Sequence, residues 1–251
     1  MQEHPFFVED KVVILAHRGF TPPQENTLGA FERAISFGAD IVETDIHCSK
    51  DGIAVLCHDA DLFRIAGIKA KLKELTWDEL SQVELNDGSK LASLSEALLK
   101  FPKTKFNLDI KDHKAIASTV AAIEFAKAFD RVLVSSFSNK TRKKALSIFS
   151  RPVATSASSS TVITSWILFK LGKKDLSREL TGIGALQIPL SSFGMKLDNP
   201  KFIRVILASG TQLHYWTIND YSEMRRLIAL GANGIVTDNT SLAIEALGKT
   251  S

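Results

Sequence analysis

Cysteine is close to absent from this chain: Cys48 and Cys57 are the only two in 251 residues. That excludes a disulfide-stapled secreted scaffold, and a chain of this length buries enough surface to fold without one. The pair flanks a proposed turn, near each other but not directly opposed, and reads as two reduced, half-buried thiols. Long hydrophobic runs are also missing. The longest candidate, residues 162–169 with Trp166 and Phe169, is about half of the roughly 20 residues that span a bilayer. The start, Met1-Gln2-Glu3-His4-Pro5, lacks the basic stretch and apolar run of a secretory signal. The expected location is therefore the cytoplasm, with no stable membrane anchor. Charge of one sign is scarce too. A formal net charge of +3 is too small to argue for a nucleic-acid partner. The densest basic cluster, Lys140, Arg142, Lys143 and Lys144, has no interleaved aromatics and reads as a solvated helix face. Neither G-x-x-x-x-G-K-[ST] nor G-x-G-x-x-G occurs, which removes the common nucleotide sites.

What is present is a rhythm. Strand-like runs at 12–16, 41–46, 106–110, 131–135, 153–156, 185–189, 212–217 and 234–237 alternate with helix-like runs. The helices fall near 26–37, 115–129, 140–149, 162–171, 201–209, 222–230 and 242–247. Eight such strands in a chain of this length predict an α/β fold, the TIM (β/α)8 barrel. An internal echo agrees. Phe37-Gly38-Ala39-Asp40 leads into a strand ending Thr44-Asp45, and Leu230-Gly231-Ala232-Asn233 leads into one ending Thr237-Asp238. Residues 60–90 break the rhythm and read as a small insertion, with one short helix capped by Thr76. No linker composition divides the chain, so residues 1–251 are expected to be a single domain.

Two carboxylates and a histidine are brought together by a predicted hairpin. Asp51-Gly52 is a strong two-residue turn signal between apolar runs. With that pair as the loop, Asp45 lies directly opposite His58, and Glu43, two residues earlier, points to the same face. Barrel catalytic groups sit at the carboxyl ends of strands. Here four strands end in capable residues: His17-Arg18, Glu43 with Asp45, Asp109 with Lys111, and Trp216 with Asn219-Asp220 beyond it. Glu43, Asp45 and Asp109 offer only hard oxygen donors, which suit Mg²⁺ or Ca²⁺ better than zinc. Arg18 and Lys111 supply fixed positive charge for a phosphate. His17 and His58 can serve as general acid and base near neutral pH. A divalent cation, two basic side chains and two histidines describe phosphoryl transfer or phosphodiester cleavage. Thr27 or Asn26 is expected to cap the first helix, Glu25 is left open, and Trp216 is either an apolar wall for substrate or a core residue.

These residues resemble the glycerophosphodiester phosphodiesterase family. The likeness rests on His17-Arg18-Gly19, Pro23-Gln24-Glu25-Asn26-Thr27, Glu43-x-Asp45, Asp51-Gly52 and His58-Asp59. It continues through Asp109-Ile110-Lys111, Ser136-Phe137, Trp216-Thr217-Ile218-Asn219-Asp220 and Gly234-Ile235-Val236-Thr237-Asp238, and so covers nearly the whole chain in order. The resemblance implies hydrolysis of glycerophosphodiesters to sn-glycerol 3-phosphate and an alcohol. It implies one divalent cation, Mg²⁺ or Ca²⁺, on Glu43, Asp45 and Asp109, catalysis by His17 and His58, and substrate contacts from Arg18, Lys111 and Trp216. It also implies a small-molecule glycerophosphodiester as partner; a homodimer is compatible with it. Two positions depart from the family pattern. Asp109 stands where the family usually has Glu, one methylene longer, and Gln24 where it usually has Pro. Two rival readings are a phospholipase D-like phosphodiesterase that touches lipid through 162–171, and a non-catalytic glycerophosphodiester-binding protein. The intact set of acids and histidines argues against the second.

Overall fold

The structure, a computed structural model, describes residues 4–7, 11–19 and 24–248. Pro23 of the quoted motif lies outside the described residues, as do Met1-Gln2-Glu3 of the amino-terminal reading. The strands are β1 Val13–Ala16, β2 Ile41–Cys48, β3 Ala54–Leu56, β4 Lys105–Ile110, β5 Val132–Ser135, β6 Ala154–Thr155, β7 Ala185–Ile188, β8 Ser191–Ser192, β9 Met195–Lys196, β10 Gln212–Tyr215 and β11 Gly234–Thr237. Eight of them are parallel, in the order β6-β5-β4-β2-β1-β11-β10-β7. The two ends meet through a Ser156–Ala185 bridge, with the Ala157 N–H on the Ala185 carbonyl at 2.9 Å and the Gly184 N–H on that of Thr155 at 3.0 Å. This is the expected (β/α)8 barrel. β3 pairs back on β2 as an excursion, and β8–β9 form a separate small hairpin that periodicity had not shown.

Alternation along the strands sorts the interior. On β1 and β2, Ile14, Ala16, Val42 and Ile46 face the helix layer and are fully buried there. Val13, Leu15 and Ile41 point inward instead, joining Leu133, Ala185 and Val236 in an apolar plug inside the barrel, with Phe6 beneath. That plug leaves the upper interior, at the carboxyl ends of the strands, for polar side chains. Outside lie α1 Leu28–Ser36, α2 Phe63–Ala66, α3 Trp77–Leu80, α4 Leu94–Lys100, α5 Ala115–Phe125, α6 Asn139–Leu146, α7 Ser159–Lys170, α8 Pro200–Ala208, α9 Tyr221–Ala229 and α10 Thr240–Ala246. Gly38 and Gly231 both follow helix ends with positive φ, +90° and +102°, so the echo in the sequence is a repeated helix stop. α4, which the apolar spacing had not marked, is set by its start. Ser93 accepts from the Glu96 N–H while the Glu96 carboxylate takes the Ser93 N–H, a reciprocal capping box. Arg142, expected on a solvated face, turns inward and is buried, its guanidinium reaching Asn139 and Thr155.

The insertion at residues 60–90 has its own small core of Leu62, Leu72, Leu80 and Leu85 under Val55 and Cys57. Thr76 caps α3 as predicted, with Glu79 closing the box. The hairpin beside it requires a correction. Its pairs are Ile46–Leu56, His47–Val55 and Cys48–Ala54, one residue out of the predicted register. Lys50-Asp51-Gly52 form a three-residue loop, closed by the Ser49 N–H on the Ile53 carbonyl at 3.0 Å, with Gly52 left-handed at φ +85°. Asp45 is therefore opposite Cys57, whose N–H donates to the Asp45 carbonyl at 3.0 Å, and not opposite His58. Both cysteines are free, as expected for reduced thiols, but buried where half-burial was expected. Among the described residues no helix is long and apolar enough to cross a membrane.

Candidate active site

The polar end of the barrel is a cavity of about 540 Å³. His17, Arg18, Glu43, Asp45, His58, Asp109, Lys111 and Trp216 all line it, so these eight candidates come to one place, while Glu25, Asn219 and Asp220 do not line it. His58 reaches it although the hairpin register is shifted, because β3 stops at Leu56 and the chain turns over the rim.

Arg18 and Asn26 both adopt left-handed backbone, at φ +54° and +53°. The Asn26 N–H donates to the Arg18 carbonyl at 2.8 Å and ties the two turns together. Between them Gly19 has φ +92°, and a Cβ there would meet the Phe31 ring at 2.5 Å, so only glycine fits. Thr27 caps α1, accepting from the Ala30 N–H at 3.1 Å. Asn26 does not cap. Its side chain is buried, donating to Asp45 Oδ2 at 3.2 Å and accepting from the Thr44 hydroxyl at 2.6 Å. It thereby fixes one carboxylate of the site.

The three acids differ in environment. Burial and the charge of Asp45 push Glu43 up to about 7, against the opposing pull of His17 and the Arg18 N–H that it accepts at 2.9 Å. Burial also raises Asp109, only partly offset by Lys111. Burial acts the same way on Asp45, but Lys111, His58 and Arg18 outweigh it and hold that carboxyl below its usual range. The Lys111 ammonium sits between two of the acids, 2.7 Å from Asp45 Oδ1 and 2.7 Å from Asp109 Oδ2. It also lies 5.5 Å above the Phe137 ring. Among the described residues no three His, Cys, Asp or Glu side chains stand together as a formed metal cage. The donor chemistry nonetheless fits a hard divalent cation: three buried carboxylates, with Glu43 pushed up to about 7 by burial and by the charge of Asp45, both of which a bound cation would offset.

Each cavity histidine is tied through Nδ1 to its own carboxylate. His17 Nδ1 is 2.6 Å from Asp238 Oδ1, and His58 Nδ1 is 2.8 Å from Asp59 Oδ1. A carboxylate partner makes Nδ1 the protonated nitrogen and leaves Nε2 to exchange protons. Asn219 orients Asp238 in turn, its amide donating to Oδ2 at 2.7 Å and its carbonyl accepting from the Asp238 N–H at 2.9 Å. Burial disfavours a charged His17, but the Asp238 hydrogen bond and the Glu43 charge outweigh it, and the His17 pKa is raised. Asp220 is not part of the site; it caps α9 by accepting from the Glu223 N–H at 2.8 Å. Glu25 bridges Arg18 Nη1 at 3.2 Å and Arg64 of the insertion at 2.7 Å.

Trp216 is half-buried, its ring edge-on to Phe137 at 5.9 Å. From this pair an apolar wall runs through Val162, Ile163, Ile188 and Met195 to Phe193, at the β8–β9 tip and 91 % exposed. Sequence reasoning gives no role to Asp238, Asp59 or Arg64, and gives Asn26 the role of a helix cap in place of its hold on Asp45. Asp238, Asp59 and Asn26 stand in the quoted motifs, and the adjacency of Asp59 to His58 is the one signal that points to a pairing.

The model of the glycerophosphoryl diester phosphodiesterase family matches residues 17–242. A probable glycerophosphodiester phosphodiesterase 2 of Mycobacterium tuberculosis is 33 % identical, over 94 % of this chain and 90 % of that one. The lysophospholipase D GDPD1 of Rattus norvegicus is 26 % identical, over 94 % of this chain and 86 % of the other. The crystal structure of a glycerophosphodiester phosphodiesterase from Thermotoga maritima superposes with a TM-score of 0.70 at 28 % identity, covering 95 % of this chain and 99 % of that one.

Proposed function

The chain belongs to the glycerophosphoryl diester phosphodiesterase family, and from that premise we propose that it hydrolyses glycerophosphodiesters to sn-glycerol 3-phosphate and an alcohol by two-histidine acid–base catalysis with one divalent cation. It is an enzyme, a phosphoric diester hydrolase. One observation carries the mechanism. His17 and His58, each with Nδ1 on a carboxylate, line one cavity with Arg18, Lys111 and three acids. One imidazole Nε2 takes the proton of the attacking oxygen, from water or from the substrate's own 2-hydroxyl. The other protonates the departing alkoxide. Arg18 and Lys111 neutralise the phosphate charge as it grows in the transition state. Glu43, Asp45 and Asp109 would hold Mg²⁺ or Ca²⁺, which when bound adds further positive charge at the phosphate. Trp216 packs against the glycerol carbons. Residues 1–251 act in this reading as one barrel domain with its insertion.

The test is a product assay for glycerol 3-phosphate with choline, ethanolamine, inositol and glycerol diesters in the presence of Mg²⁺ or Ca²⁺. Release from at least one of them is expected. No release from any with either cation would leave only a binding role.

The apolar wall from Trp216 to Phe193 favours a second substrate as well, a glycerophosphodiester that still carries one acyl chain. Comparing glycerophosphocholine with short-chain lysophosphatidylcholine below its micellar concentration decides this. Each methylene that enters the wall is expected to raise kcat/KM, by up to about fourfold. A rate indifferent to chain length removes this second substrate.

A further inference from the structure

The insertion sends one side chain to the rim of the cavity, and each of its three nitrogens donates a hydrogen bond there. Arg64, on α2, donates from Nε to Asp59 Oδ2 at 2.5 Å, from Nη1 to Glu25 Oε2 at 2.9 Å and from Nη2 to Glu25 Oε1 at 2.7 Å. Each of those carboxylates also holds a reactive group. Asp59 takes the Nδ1 of His58 at 2.8 Å, and Glu25 takes Nη1 of Arg18 at 3.2 Å. A single guanidinium therefore stands behind both the acid–base histidine on one side of the cavity and the phosphate-facing arginine on the other. Its fork presents donors in one plane at fixed angles, which suits a bidentate carboxylate along one edge and a second carboxylate at Nε.

The base of Arg64 is anchored. The Asn86 amide donates to the Arg64 carbonyl at 3.0 Å, and the Asn86 N–H to that of Ile65 at 2.8 Å. Leu62, just before α2, is fully buried in the small core of the insertion. Asp61 starts the turn by accepting the Phe63 N–H at 3.0 Å, and Gly67 ends it in a left-handed conformation at φ +69°. A four-residue helix is not stable alone; packing and these bonds hold it. Among the described residues the hydrogen bonds of this half-exposed guanidinium all go to Asp59 and Glu25, so the scaffolding aims the arginine at two carboxylates of the rim.

We propose that Arg64 is a positioning residue for the phosphodiesterase reaction: through Glu25 and Asp59 it sets Arg18 and His58 in register with one another, and this is what the insertion contributes to catalysis. The inference rests on the reaction proposed above. It also makes a claim about geometry that holds without turnover, so the two can fail separately.

The experiment uses the full chain with Arg64→Ala, Arg64→Lys and Asp59→Asn. In Arg64→Ala, kcat is expected to fall at least tenfold and KM for glycerophosphocholine to rise severalfold, because His58 and Arg18 are loosened together. Millimolar methylguanidinium restores part of kcat to Arg64→Ala and does nothing for wild type. Arg64→Lys does not restore it, since one ammonium cannot serve both carboxylates. Adding Arg64→Ala to Asp59→Asn costs less in kcat than Arg64→Ala alone, because the His58 branch is already broken. Imidazole nitrogen spectra of the unliganded protein show one fixed His58 tautomer, protonated at Nδ1, in wild type and a mixture in Arg64→Ala. Kinetic constants within twofold of wild type overturn the proposal. So does a loss that methylguanidinium cannot relieve and that tracks a lowered Tm, which would make Arg64 a fastener of the insertion only. If wild type hydrolyses no glycerophosphodiester, the reaction falls, and the His58 spectrum still decides whether Arg64 sets the ring.

Discussion

His17 Nδ1 and Asp238 Oδ1 lie 2.6 Å apart although 221 residues separate them in the chain. The register of β1 on β11 puts Ala16 beside Thr237, so the next residue of each strand meets its counterpart at the rim. Asp238→Asn is expected to lower the His17 pKa, because it removes the hydrogen bond and charge that outweigh burial and leaves burial to dominate. Turnover should drop on the order of a hundredfold or more, as the ring loses the partner that fixes its tautomer. A titration of the His17 ring protons alongside kinetics reads both. An unmoved pKa with normal turnover would separate Asp238 from catalysis.

His17→Ala and His58→Ala should each lower kcat by about a hundredfold or more, the usual contribution of a general acid or base. Circular dichroism checks that each variant is folded. Near-normal turnover in either one removes that histidine from the mechanism.

Chelation should abolish activity, and Mg²⁺ or Ca²⁺ should restore it, given the three buried oxygen donors Glu43, Asp45 and Asp109. Asp45→Asn should lose both activity and retention of the cation, measured by equilibrium dialysis. Full activity after exhaustive EDTA treatment would sink the metal requirement.

His214, inside the barrel and fully buried, is pushed by burial from 6.5 down to about 4. Above pH 6.5 neither the folded nor the unfolded chain protonates it, and it adds no pH dependence. Between 6.5 and 4 the unfolded chain binds a proton that the folded one refuses, so stability falls as pH falls. The slope from this group is at most about 1.4 kcal/mol per pH unit. His214→Gln should flatten the urea-denaturation midpoint across that window relative to wild type. An equal acid slope in the variant would assign the sensitivity to other groups.

The residues proposed to perform the chemistry are readable one by one, because strand alternation places every second side chain inside a barrel and catalytic groups gather at its carboxyl rim. The supports are not. Asn26 had the composition and position of a helix cap, and only the left-handed turn at its backbone shows that it is aimed at Asp45. Asp220 and Asp238 each follow a strand end, and nothing local distinguishes the one that caps a helix from the one that holds His17. The hairpin was misread by one residue because Asp51-Gly52 serves both two-residue and three-residue loops, a difference settled by the Ser49 and Ile53 pairing.

By itself the sequence determined the barrel, the family and the set His17, Arg18, Glu43, Asp45, His58, Asp109 and Lys111. Period, spacing and residue type are local properties that survive without coordinates. Only the tertiary structure decided the partners: Asp238 behind His17, Asp59 behind His58, Lys111 between two acids, and Arg64 across Glu25 and Asp59. Hydrogen bonds and ion pairs act over about 3 Å. Which side chains come within that reach is set by strand register and by how the insertion folds over the rim, and neither is written at any single position of the chain.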